Sequence, residues 1–489
     1  MTRNSFYPLL LVTLICITIC SNFSYAFDYI LGTNKYPKPI IPKPSKGQTI
    51  SDPNFHTSIT RITDKTIDGY IDAGITNQYS QINPKNADGS YLILRGTGAF
   101  WYLYDLKTLQ LIRQPNGFKQ LFGIAGYGSS GQDEYSPYWD ASDPNILYHQ
   151  DGVYSQYGNG PKFYKYDVRT KKDTLVHDFA PDFPQFAWAK QAYGKWTGPY
   201  IFKEDYNEPD KNTRYWPFWI KEHLGGGTHY IRAAFIYDRV LDKVIGTLYP
   251  PDVVSSNKGL FTVSASGKYV LVATKEGIAV YDVTLTKKKP FKLYAGGHAD
   301  LGVDSKGNDV LVFQDTQRDY FAMYDIETGV RFAILKACGT GAPGKSYCPG
   351  MHMSGNNYKK PGWALISTYA SNGQWSDDQL FMLELNPDKG VWKIDPRHPN
   401  AVIPLSQSPR VWRLAHTHSV GPSYWAQAFA TIDQDGQYVY WGSNWNDTNT
   451  PLETYMLSLP SSWYSDLASN SPRGDITPPR STTGLKIIK

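Results

Sequence analysis

The feature that most constrains the fold of this chain is a recurring unit, clearest at residues 296–328. There Gly296-Gly297-His298-Ala299-Asp300 leads into the polar turn Ser305-Lys306-Gly307. The apolar run Val310-Leu311-Val312-Phe313 follows, and the unit ends on Tyr324-Asp325-Ile326-Glu327-Thr328. Short runs of strand formers separated by turn residues read as an antiparallel meander. Turns of the same kind stand at Asp88-Gly89, Asp143-Pro144, Thr197-Gly198, Ser266-Gly267, Lys306-Gly307, Lys360-Pro361 and Asp435-Gly436. Most precede an apolar run, and most runs lead on to an acidic strand end such as Tyr104-Asp105-Leu106-Lys107-Thr108 or Tyr166-Asp167-Val168-Arg169-Thr170.

Seven such units with about four strands each predict an all-β fold, a seven-bladed β-propeller over 59–459. The last unit runs out near Leu459, one strand short. The isolated alternating segment Ile59-Thr60-Arg61-Ile62 is the natural donor of that strand, which would close the ring and remove exposed edges. A two-sheet sandwich with irregular insertions is the rival architecture.

The termini read differently. Residues 1–26 carry Arg3, an apolar run from Leu9 to Cys20 and the small-residue pattern Ser24-Tyr25-Ala26, as a signal peptide does. That run is shorter than the roughly 20 residues a spanning helix needs. The chain is therefore expected to be secreted, extracellular or periplasmic, after cleavage near Ala26, with no stable membrane anchor. Residues 27–58 form an extended, proline-broken arm, and 460–489 a Ser/Pro/Thr-rich tail. The net charge of +5 is spread without long basic runs, which leaves nucleic acid without a footprint and is compatible with an acidic polymer as partner. A monomer is expected. Asn446-Asp447-Thr448 would accept a glycan in a eukaryotic secretory pathway.

Equivalent positions at the start of each innermost strand should ring one mouth of the channel. Counting back eight residues from each turn gives Ser80, Tyr135, Ala189, Lys258, His298, His352 and Gln427. The two histidines fall in adjacent blades. His352 also ends the run Cys338-x9-Cys348-x3-His352, so two thiols and two imidazoles could complete a tetrahedral, closed zinc site that pins a loop and joins two blades. In an oxidising compartment the same cysteines could instead form a local disulfide. A closed zinc does no chemistry, so reacting groups are sought in the second and third blades, at His149, Tyr215, His229, Tyr230 and Arg232. His416 and His418 could be ligands or proton carriers, or a plain surface pair. The abundant tryptophans could stack on sugars or pack between blades. No Gly-x-Ser-x-Gly elbow, phosphate loop or His-Glu-x-x-His helix is present.

These Asp-Gly turns and Tyr-Asp-x-x-Thr strand ends in an exported chain resemble the propeller lyases of uronate polymers, the ulvan lyases first and the oligogalacturonate lyases second. The ulvan lyase resemblance implies β-elimination on an acidic polysaccharide without an organic cofactor. It implies a structural zinc at His298, Cys338, Cys348 and His352. It also makes His149, Tyr215 and Arg232 the reacting groups, with His229 and Tyr230 as substitutes. Oligogalacturonate lyases hold a metal through histidines and a glutamine near the last turn, where this chain has Gln427 but no neighbouring histidine. The alternative expectation is a non-catalytic secreted propeller that binds a glycan or a protein.

Overall fold

A computed structural model describes residues 27–469 other than 99, 113–136, 151–159, 189–197, 204–206, 224–228, 254–258, 295–297, 338–348, 370–372 and 422. Residues 1–26, where a signal peptide is expected, Cys338, Cys348 and the residues from 470 on lie outside the described residues. Seven antiparallel sheets follow one another as blades of a β-propeller: 75–111, 138–178, 199–248, 261–293, 299–336, 350–416 and 431–458. The seventh is completed by Ser58–Arg61, which pairs with Glu453–Ser458, so the ring closes on the strand the sequence offered. Thr49–Ser51 then adds a fifth strand outside it. Among the described residues no helix is long and apolar enough to cross a membrane.

The apolar runs are continuous because each blade is covered on both faces by its neighbours. In blade 5, Val310 and Val312 enter the core shared with Met351, Ile366 and Phe381 of blade 6, while Leu311 and Phe313 point the other way, toward Leu271, Val280 and Leu293 of blade 4. Alternate residues of one strand thus serve two cores. Leu311→Ala should lower unfolding free energy by about 2–5 kcal/mol in urea titration, the range for a fully buried leucine that leaves a cavity.

The repeated acid has a local cause. Asp105 Oδ1 accepts from the backbone N–H of Thr108 at 2.7 Å and from its hydroxyl at 2.9 Å, and Asp167 and Asp325 close their turns on Thr170 and Thr328 in the same way. A short acidic side chain capping backbone N–H groups two or three residues on is what a tight turn needs. Six of the seven turn sites stand where the repeat placed them. The third does not. Gly198 (φ +99°) instead opens blade 3's innermost strand, and the true turn follows Asp210, whose carboxylate accepts from the backbone of Arg214 and Tyr215, with Thr213 left-handed at φ +52°.

Two pieces of chain staple blades together. A hairpin of Trp392–Ile394 and Val402–Pro404, inserted in the chain of blade 6, pairs onto Arg331–Lys336, the outermost strand of blade 5. The arm does likewise: Gly32 N–H donates to the Val411 carbonyl at 2.8 Å, and Arg413 N–H to the Ile30 carbonyl at 2.9 Å. Beyond Leu459 the chain is not all tail. Trp463–Ala468 is a short helix whose Trp463, fully buried, lies against Trp363 and Trp412.

Candidate functional site

Every innermost strand starts at the same mouth of the channel. His298 immediately precedes Ala299–Val303 of blade 5, and His352 lies on Gly350–Ser354 of blade 6. The two rings, brought from adjacent blades as the register implied, sit 4.3 Å apart between centroids. Around them stands an aromatic wall. His352 stacks on Tyr369 at 5.1 Å, meets Phe429 at 4.5 Å and receives the edge of Tyr79 at 5.2 Å.

His352 is 0% exposed, and neither of its ring nitrogens has a hydrogen-bond partner among the described residues. Buried polar atoms without partners are uncommon and costly. His298 Nδ1 lies 3.1 Å from the Tyr79 hydroxyl, which leaves Nε2 for something else. Burial lowers the proton affinity of His298, and burial followed by repulsion from His298 lowers that of His352 further. Both are therefore neutral imidazoles near pH 7, the form that ligates a metal, and Tyr79 fixes the orientation of one of them as outer partners of metal ligands do. The imidazole half of the expected zinc set fits a metal. The thiol half lies outside the described residues, among which no group of three or more His, Cys, Asp and Glu could hold one.

Tyr79 comes from an unexpected direction. Between Ile75–Thr76 and the isolated bridge of Lys85 to Leu92, the innermost chain of blade 1 leaves its own sheet and crosses the channel. Gln81 Nε2 donates to the Ala299 carbonyl of blade 5 at 2.8 Å, and Asn356 Nδ2 of blade 6 donates to the Gln81 carbonyl at 2.8 Å. Asn77 reaches the Phe429 carbonyl of blade 7. Gln78, Tyr79, Ser80 and Gln81 are all at most 3% exposed.

The channel is also filled with polar groups from within. Glu208 and Asp300, fully buried with Tyr138 and Tyr358 about them, are both raised in pKa, first by burial, Asp300 to about 7. Burial disfavours the charged form of each, and Asp300 pushes Glu208 further up. Lys203 is buried there too, its ammonium 5.1 Å from the Tyr138 ring. Counting back eight residues from the corrected turn pair, Asn212-Thr213, gives Glu204, the neighbour of Lys203; Glu204 itself lies outside the described residues.

The residues implied as reacting groups do not form one cluster. His149, on Ile146–Gln150, bonds Asp173 of the outermost strand of blade 2 at 2.7 Å and stacks on Tyr164, away from the channel. Tyr215 and Arg232 sit toward opposite ends of the long hairpin of Tyr215–His223 and His229–Asp238: Tyr215 pairs with Asp238, whereas Tyr230 pairs with Glu222, beside Arg232. About six residues of strand, roughly 20 Å, separate them. Tyr215 therefore faces the far mouth. Glu222 pairs with Pro199 at the start of the innermost strand, which places Tyr230 and Arg232 at the end of the barrel that holds His298. The Arg232 guanidinium pairs with Glu222 and lies 5.9 Å from the Tyr230 ring, which is 39% exposed. His229 begins the same strand at the hairpin tip, and its side chain lies outside the described residues. His416 and His418 are not a surface pair: both are at most 1% exposed, under the N-terminal arm.

Sequence reasoning missed Tyr79 and Lys203. The signal for Tyr79 was close, since the register named its neighbour Ser80. For Lys203 it was hidden by the misplaced turn, and the corrected register again names the neighbouring residue.

No family model matches the chain, and no curated protein does. Solved structures do. An oligogalacturonate lyase from Vibrio parahaemolyticus superposes with a TM-score of 0.50 at 11% identity, over 86% of this chain and 100% of that one. An oligogalacturonate lyase in complex with manganese gives 0.49 at 12%, over 86% and 99%. The β-propeller domain of Cps50 (Swd1) from Myceliophteria thermophila gives 0.38 at 13%, over 78% and 96%. At such identities the likeness establishes the class, a β-propeller, and no more. These matches do not show the ulvan lyase resemblance.

Proposed function

We propose that the protein is an exported polysaccharide lyase that cleaves a uronate-containing polymer, ulvan first among them, by β-elimination. The observation that carries this reading is the mouth itself: two neutral imidazoles in an aromatic wall, at the end of a filled channel that also bears the Tyr230–Arg232 pair. β-Elimination needs a cation to neutralise the uronate carboxylate, which acidifies the C5 proton, a base to take that proton, and an acid for the leaving oxygen. Arg232 supplies the cation, exchanging Glu222 for the substrate carboxylate through its forked donors. Tyr230, next to it and exposed, is the proton-transfer group, with His229 beside it and His149 the more distant candidate. Tyr215, at the other mouth, drops out.

His298 and His352, with Cys338 and Cys348, would hold the zinc. A four-donor zinc is closed and supplies bracing between blades 5 and 6 rather than a bond to substrate. A second reading, a propeller that binds a glycan without cleaving it, draws support from the ion pairs that already engage Arg232 and His149.

Incubation of the mature protein with ulvan, pectate and related polymers should give the ultraviolet absorbance of unsaturated products. Arg232→Ala should lower kcat/KM by about 100-fold or more, the scale for loss of one group that stabilises developing charge. Silence from folded protein across the panel would leave only the binding reading.

A further inference from the structure

Most tryptophans here pack between blades: Trp216, Trp219, Trp412 and Trp441 are at most 1% exposed. Trp425 is different. It lies on the 3-10 turn Tyr424–Ala426 that leads the chain into the innermost strand of blade 7, and it is only half-buried. Its neighbour Tyr424 is 43% exposed. The two rings stand 5.3 Å apart at 80°, forming a corner rather than a stack. Phe429 joins this corner to the site, at 4.8 Å from Tyr424 and 4.5 Å from His352.

The surroundings of the corner are polar, with one buried guanidinium behind it. Ser423 is exposed and its side chain makes no capping bond to the turn, and the half-buried Gln427 follows on the other side. Behind Trp425, the guanidinium of Arg95, 2% exposed, lies 4.6 Å from the indole ring. A guanidinium held against one face of an indole leaves the exposed edge to a ligand, and its charge is shared with the Asp72 carboxyl, whose proton affinity burial raises and the guanidinium helps to lower. Aromatic faces flanked by hydroxyl and amide groups suit a pyranose ring, which presents C–H bonds on its faces and hydroxyls around its rim. The guanidinium behind them favours an anionic sugar over a neutral one.

We propose that Tyr424 and Trp425 form a sugar-stacking subsite at the channel mouth that takes one uronate residue of an acidic polysaccharide beside the His298–His352 pair. The subsite shares the substrate class of the proposed lyase but does not depend on turnover.

Affinity electrophoresis in gels containing polygalacturonate or ulvan, with neutral hydroxyethylcellulose as the control, tests it on the mature protein. The wild type should be retarded by the acidic polymers and not by the neutral one. Tyr424→Ala, a change at an exposed ring, should weaken binding by about tenfold, as truncation of an aromatic anchor does. Trp425→Ala should do so more strongly, and Trp425→Phe, which retains a ring if the alanine variant does not fold, should fall between. Tyr424→Ala with wild-type retardation would overturn the subsite, as would equal retardation by the neutral polymer or none by either acidic one. Product absorbance recorded in parallel separates the two claims. Retardation that needs Tyr424 but yields no unsaturated product supports the subsite and removes the lyase. Turnover and binding both indifferent to Tyr424 do the reverse.

Discussion

Glu453→Ala should lower unfolding free energy by about 3–5 kcal/mol, the range for removing one partner of a buried charge pair. Glu453 is 1% exposed and opens the last strand of the ring. Its carboxylate accepts from the Thr63 hydroxyl at 2.5 Å, the Tyr70 hydroxyl at 2.9 Å, the Lys65 backbone N–H at 2.9 Å and the Arg61 guanidinium at 3.3 Å. Those donors belong to the closing strand and to the segment that begins blade 1, so a single side chain ties both ends of the propeller. Alanine would leave two hydroxyls and the Lys65 N–H without their acceptor, while the Arg61 guanidinium would keep only Asp64, 2.7 Å away, as its carboxylate partner. Glu453→Gln keeps an acceptor and should cost less. Urea unfolding of the three proteins measures this, and a loss under about 1 kcal/mol in the alanine variant would show that the closure rests on strand pairing alone.

Acid should release the N-terminal arm. His416 stacks on Phe55 at 5.2 Å and His418 on Trp445 at 4.4 Å, and burial holds their pKa values down to about 3 and about 4. Histidines kept neutral by the fold contribute stability that is complete above the ordinary value near 6.5 and is lost as pH falls through about 4 and then 3. Lys38 and Arg413 nearby add to the resistance against charging, while Asp378 beside Lys38 opposes it. Thermal melting between pH 3 and pH 7 should therefore fall steeply below pH 5. His416→Gln should flatten that fall relative to the wild type, even if its melting point at pH 7 is lower. An unchanged slope would place the acid sensitivity in the carboxylate ion pairs instead.

The fold was legible where its causes are local. Asp304 accepts from the backbone N–H of Lys306 and Asn308, and Gly307 takes φ +86°, so the sequence of that turn carries its geometry within five residues. The pairing of His298 with His352 was legible for the same reason, since it follows from equal spacing before two such turns. Blade 3 misled because Thr197-Gly198 has turn chemistry, whereas the turn actually made uses a threonine in a left-handed conformation that few residues adopt. The crossing of the channel by residues 77–83 was not legible at all. Its bonds join residues 218, 219 and 275 positions apart, and no periodicity in the chain records which blade lies opposite. The same holds for Tyr215: its place on a strand was readable, but which mouth it faces depends on where the strand before it turns.

The most direct measurement of the central claim, that the mouth is built around the imidazoles of blades 5 and 6, is the metal content of the purified mature protein. About one zinc per chain is expected, lost in His352→Ala while the variant stays folded. A metal-free protein whose two remaining cysteines are joined to each other would contradict it, and the orphaned nitrogens of His352 would then be packing and nothing more.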